Sequence, residues 1–216
     1  MVELDATELA LLAAPYRGVT IDVGAGDGRY AYASARRHPE RLVIGMDPVR
    51  EGLRETSSRA LRKQSRGGLP NVLYVWAGIE QPPDELSGVA DEVHVVLPWG
   101  KLLRGVVLPE TDVLAGLRRV AAPEALLRLV LGVDVWADPV PVEVRGVPEP
   151  TLEYVERHLA RAYAREGLRL LEARALSPAE IEELPSTWAR RLAHGRPHPQ
   201  FVSLRVLVAG QGCLEP

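Results

Sequence analysis

Thr20-Ile21-Asp22-Val23-Gly24-Ala25-Gly26-Asp27-Gly28-Arg29 sets three glycines at alternate positions, directly after an apolar run and ahead of a stretch without helix breakers. Val19 to Val23 reads as a buried strand and Ala31 to Arg37 as helix, so the glycines occupy a strand-to-helix turn. With no Cβ there, backbone can approach a ligand closely. A dinucleotide site would use G-x-G-x-x-G and rest a pyrophosphate on the helix N-terminus. The spacing here is G-x-G-x-G, and Asp22 and Asp27 set carboxylates beside the turn. Those charges oppose a pyrophosphate and suit a cation. S-adenosylmethionine (SAM), with its sulfonium and ammonium, matches that pattern.

Working outward, a second apolar run, Leu42-Val43-Ile44-Gly45-Met46, ends in Asp47, about 20 residues beyond the loop, where an acid can accept both ribose hydroxyls. Nicotinamide folds share this acid, so it marks a nucleoside without choosing between the cofactors. Further strands are expected at 71–76, 91–97, 125–133, 168–176 and 201–208, with the first two at 18–23 and 42–46. Helices are expected at 28–37, 49–64, 111–120 and 151–166. Such alternation requires an α/β fold: a mainly parallel seven-stranded sheet with helices on both faces. Prolines crowd 134–150 and the stretch from Pro178 to Pro199, marking long connections, which usually carry function.

The 216 residues, 46% of them hydrophobic, suffice for one domain with a sizeable core, taken as 1–216. Cys213 is the single cysteine, which excludes an intrachain disulfide framework and fits a reducing compartment. The acidic N-terminal segment with Glu3, Asp5 and Glu8 lacks the basic region of a signal peptide, and no apolar run reaches membrane-spanning length. A cytoplasmic protein with no membrane association is expected. The five histidines show no H-E-x-x-H or comparable spacing, so no metal is expected.

A net charge of −3 argues against indiscriminate nucleic-acid binding, yet the basic residues are unevenly spread. Arg50, Arg54, Arg59, Arg62, Lys63 and Arg66 face only Glu51 and Glu55 within one stretch. Arg190, Arg191, Arg196 and Arg205 lie in another that has no acid from Leu184 to Leu214. Two such runs beside a cofactor sheet point to a phosphate-binding surface. Aromatic residues are scarce, which makes the four tryptophans informative. Trp99 follows the fourth strand in Leu97-Pro98-Trp99-Gly100, at the carboxyl edge where open parallel sheets bind ligands. Trp188 lies in the basic, proline-rich connection, and Trp76, at a strand end, is expected to pack in the core.

Asp22 to Arg29, Leu69 to Ala77, Pro98-Trp99-Gly100 and Ser186-Thr187-Trp188 together resemble the 16S rRNA (adenine-1408, N1) methyltransferases of kanamycin and apramycin resistance. The resemblance spans residues 18 to 208. Its glycine loop is common to many methyltransferases; the pairing of Pro98-Trp99-Gly100 with a late serine-x-tryptophan is specific.

The resemblance implies a Rossmann-like class I SAM-dependent methyltransferase fold, acting as a monomer on 16S rRNA within the 30S subunit. It places Asp22, Gly24, Gly26, Asp47, Ala77, Gly78, Glu80, Val96 and Ser186 around SAM, with Asp47 on the ribose and Ala77, Gly78 and Glu80 about the adenine. Trp99 and Trp188 would stack on the two faces of a flipped target adenine, and Arg59, Arg62, Lys63, Arg191 and Arg196 would hold rRNA phosphates. Substrate recognition would reside near 49–66, 98–110 and 177–200. Lys101 departs from the small hydroxyl residue of the family pattern and would alter cofactor affinity if it reaches the site. Two other classes use parts of the same pattern: a SAM enzyme acting on a small molecule, and a non-catalytic nucleic-acid-binding domain.

Overall fold

The computed structural model describes residues 5–133, 142–186, 189 and 200–210. Its parallel half follows from the apolar runs: β1 (Val19–Val23), β2 (Leu42–Asp47), β3 (Val72–Trp76) and β4 (Ala90–Val96). Every residue of β1 and β2 is buried, as central strands covered on both faces must be. β5 (Ala121–Gly132) runs parallel beside β4, while β7 (Phe201–Val208) inserts antiparallel between β5 and β6 (Leu168–Leu176). The seven-stranded order is β3-β2-β1-β4-β5-β7-β6. Chain order reverses between β1 and β4, and that is the switch point where ligands bind in such sheets.

Alternation along the strands divides the core between two faces. Val43 and Val72 pack with Ala31, Ala35 and Ala60 from α2 (Arg29–Arg37) and α3 (Arg50–Ala60). Their neighbours Leu42, Ile44 and Met46 face the larger cluster, joined by Leu103, Val106, Leu114 and Leu117 from α4 (Gly100–Val107) and α5 (Thr111–Val120). Asn71 ties the end of α2 to the sheet, its amide donating to the carbonyls of Ala35, His38 and Arg41 at 2.8, 3.2 and 3.0 Å.

The structure corrects three expectations. The region 98–110, where no helix is expected from the sequence, contains α4; the helical spacing of the buried Leu103, Val106 and Val107 is hidden between Pro98 and Pro109. Two short helices also escaped notice: α1 (Ala6–Ala13) and α8 (Pro178–Glu182), each opened by a capping box, Asp5 with Glu8 and Ser177 with Glu180. The helix expected at 151–166 is α6 (Leu152–Tyr154), a π-helical turn at Val155–Leu159, and α7 (Ala160–Arg165). Tyr154 and Tyr163 from this composite donate to the carbonyls of Val107 and Val106 at 3.0 and 2.7 Å. They satisfy the orphan end of α4 and so fix the helix that begins at the Pro98-Trp99 turn. Among the described residues no helix is long and apolar enough to cross a membrane.

Candidate functional site

A cleft of about 750 Å³ opens at the carboxyl ends of β1, β2 and β4, lined by Asp22 to Asp27, Met46 to Val49, Ala77 to Glu80, Val96 to Trp99, and Tyr30, Lys101, Leu102 and Ser186. All nine residues expected at the cofactor lie on it, and Trp99 stands at its wall. Gly24, Gly26 and Gly28 hold φ of 73°, 58° and 72°, the left-handed region that side chains resist. A Cβ on Gly24 would lie 2.6 Å from Leu102 Cδ2, so that glycine also lets α4 close on the loop. A Cβ on Gly52 would lie 2.6 Å from the Gly26 carbonyl oxygen, so the start of α3 presses on the other side of the loop.

Two carboxylates govern the electrostatics. Asp47 accepts the Gly26 N–H at 2.8 Å through one oxygen and the Val49 N–H at 2.7 Å through the other. Each carboxylate oxygen accepts about two hydrogen bonds, so both keep capacity for a vicinal diol. Asp22 is 2% exposed, its Oδ2 has no hydrogen-bond partner, and the Ala31 backbone N–H is the donor that stabilises its charge. Burial, followed by the charges of Asp47 and Asp27, pushes its carboxyl up to about 8. A buried acceptor without a donor costs stability, which a cationic ligand group beside it relieves. The chain's residues therefore fit a nucleoside cofactor that carries a positive charge.

Tyr30 and the Lys101 pair went unseen in the sequence. Tyr30, on the first turn of α2, reaches His94 Nδ1 at 3.0 Å, and His94 Nε2 lies 3.2 Å from Glu92 Oε2. Burial first, then the Asp22 charge, raises the Tyr30 phenol, which stays protonated at neutral pH. Its position two residues past Gly28 was the available signal. Lys101 Nζ lies 3.1 Å from Glu80 Oε1 and 3.9 Å from Asp112 Oδ2, so the departure noted in the sequence does reach the cleft. It joins the loop after β3 to α4 across one end of the cleft.

After β4 the chain turns sharply. Leu97 takes φ 50°, uncommon for a branched residue, and its N–H donates to the Val130 carbonyl at 2.8 Å. The turn delivers Trp99, 39% exposed, to the N-cap position of α4. Ser186 Oγ, on the same cleft, accepts the Ala189 N–H at 3.3 Å. Trp76 is not a core residue: it is 54% exposed, because it lies beyond the cover of α3 at the end of an edge strand. Arg59, Arg62 and Lys63 are exposed, with the Arg59 guanidinium 4.7 Å from the Tyr32 ring centroid. Trp188, Arg191 and Arg196 lie outside the described residues.

Known proteins resemble this chain in sequence and in fold. The family model for "NpmA: 16S rRNA (adenine(1408)-N(1))-methyltransferase" matches residues 1–207. A 16S rRNA (adenine(1408)-N(1))-methyltransferase of Streptoalloteichus hindustanus is 41% identical over 196 residues, covering 91% of this chain and 90% of its own. One from Escherichia coli is 33% identical over 201 residues, covering 93% and 92%. Among solved structures, a mutant of the enzyme from Catenulisporales acidiphilia with cosubstrate SAM superposes with a TM-score of 0.90 at 41% identity, covering 100% of this chain and 95% of that one. The 16S rRNA methyltransferase KamB gives 0.88 at 38% identity, covering 96% and 95%. With the match running from the glycine loop through β7, the chain belongs to the 16S rRNA (adenine(1408)-N(1))-methyltransferase family.

Proposed function

We propose that this protein methylates N1 of adenine 1408 in the 16S rRNA of the 30S subunit, using SAM, and thereby confers aminoglycoside resistance. The observation that carries this reading is the buried, partnerless Asp22 oxygen at the floor of a cleft whose wall presents a half-exposed Trp99. SAM supplies an electrophilic methyl group, and the adenine N1 lone pair takes it as the carbon–sulfur bond breaks, moving the positive charge from sulfur to the base. No proton has to leave N1 first, so the chain's residues serve to position and to stabilise charge.

In this reading Asp22 holds the cationic end of SAM, Asp47 the ribose hydroxyls, and Ala77, Gly78 and Glu80 the adenine, while Gly24, Gly26, Val96 and Ser186 complete the walls. Trp99 stacks on the target base, and Trp188 takes its other face. Holding reactive atoms about 3 to 3.5 Å apart and in line is where such a site gains rate. Extruding the base costs a few kcal/mol, and each aromatic stack returns about 1 to 3 kcal/mol, so two stacks offset the flip. The indole faces also favour the charge that develops on the methylated base. Arg59, Arg62 and Lys63, with Arg191 and Arg196, hold rRNA phosphates. A methyl group and a positive charge on a base contacted by polycationic drugs oppose their binding. The protein acts as a monomer in the cytoplasm, where its substrate resides.

Incubation with SAM and purified 30S subunits, followed by reverse transcription, tests the assignment. N1 methylation blocks Watson–Crick pairing, so a new stop at adenine 1408 is expected. Clean read-through with methyl transfer to a metabolite instead would transfer the site to small-molecule chemistry.

A further inference from the structure

Trp76 is the last residue of β3, in register with Asp47, yet it is 54% exposed where Asp47 is 7% exposed. Alternation along β3 explains its position. Val72 and Tyr74 pack against the cluster beneath α2 and α3, and Trp76 continues that face past the start of α3. The side chain is nevertheless fixed. Its Nε1–H donates to the Pro48 carbonyl at 2.8 Å, and the Arg50 guanidinium lies 5.7 Å from its ring centroid. That single hydrogen bond satisfies the indole's only donor, so the exposed part is apolar ring.

We propose that Trp76 and Arg50 form a second rRNA contact, beside the methyl-transfer cleft: a platform on which one unpaired base, other than the target, stacks, with Arg50 at its phosphate. This rests on the RNA-substrate reading above. Stacking on a ring already held in one orientation loses little side-chain entropy, and it is tolerant of base identity because every base has a π-face. Charge selects the occupant. Arg50 pairs with no carboxylate among the described residues, and the one acid in the first turn of α3, Glu51, is engaged by Arg54 at 3.3 Å. A polyanion is drawn to that end of α3, whereas a second copy packed symmetrically on the same patch would bring Arg50 against Arg50.

The test uses the whole protein and purified 30S subunits. Trp76→Leu should bind 30S roughly five- to a hundredfold more weakly at fixed salt, the range expected for one lost stack. Trp76→Phe, which keeps a ring, should stay within a few-fold of the parent, and calorimetric SAM affinity should be unchanged in both. A photo-crosslinker at position 76 should label 16S rRNA. Unchanged 30S affinity in Trp76→Leu, a parallel loss of SAM affinity, a crosslink only to a ribosomal protein, or a self-association that Trp76→Leu abolishes would each overturn the platform. A parent protein that binds no 30S removes the RNA reading itself, and the platform with it.

Discussion

In the proposed function, Asp22 is the single residue that couples cofactor, proton and stability. Its carboxyl is raised to about 8 in the folded chain, so between the ordinary carboxylate range and that value the native state holds a proton that the unfolded chain has released. Stability of the ligand-free protein should fall as pH rises through that window, and thermal melts of Asp22→Asn should lack the slope. A cation beside Asp22 favours the ionised form, so SAM affinity should rise with pH up to about 8, with proton release seen by calorimetry in buffers of different ionisation enthalpy. Asp22→Asn should weaken SAM roughly tenfold or more, the loss expected for a charge-assisted contact. An affinity flat in pH and equal in the variant would remove the cation from Asp22. Lys101 makes a separate point. The hydrogen bond that Lys101 donates to Glu80, then the charge of Glu80, raises the ammonium, so Lys101 stays charged at neutral pH. Lys101→Met should free Glu80 and change SAM affinity by a few-fold in titrations at low salt, and the difference should shrink at high salt.

The elements explain why some of this was legible beforehand. β1, β2 and the glycine turn announce themselves because a buried parallel strand needs an unbroken apolar run and the turn needs residues free to take positive φ. Trp99 was placed correctly at the edge of β4, but the helix behind it was not seen. α4 owes its position to Tyr154 and Tyr163, some 50 residues away in sequence, and no local pattern encodes that pairing. Trp76 was misjudged for the same reason: whether α3 covers the end of β3 depends on where the helix begins in space. Close packing gives a sharp test at this scale. A Cβ on Gly116 of α5 would stand 1.7 Å from the Ile79 carbonyl oxygen, so Gly116→Ala must push α5 away from the loop that carries Gly78 and Glu80. A loss of about 1 to 3 kcal/mol in denaturant unfolding is expected, together with weaker SAM binding.

For the molecule as a whole, the proposed function asks a net acidic chain to dock on RNA, and its exposed and buried charges are separated in a way that suits this. Arg59, Arg62 and Lys63 are exposed at the end of α3, while acids such as Asp22 and Asp47 are buried at the cleft. Reversing the three charges should weaken 30S binding and lower the slope of log affinity against log salt by about 2 to 3, with SAM affinity retained. An unchanged isotherm would return that run to ordinary solvated surface. The sheet order also constrains how the protein is made. β7 fills the gap between β5 and β6, although it is the last strand among the described residues. Until Phe201–Val208 has been synthesised, β5 has no neighbour on its outer side, and its row of backbone donors and acceptors is an open template for pairing. A nascent chain can therefore assemble the half that lines most of the cleft while its sheet is still unsealed, and closing it must wait for a strand that pairs across about 70 intervening residues.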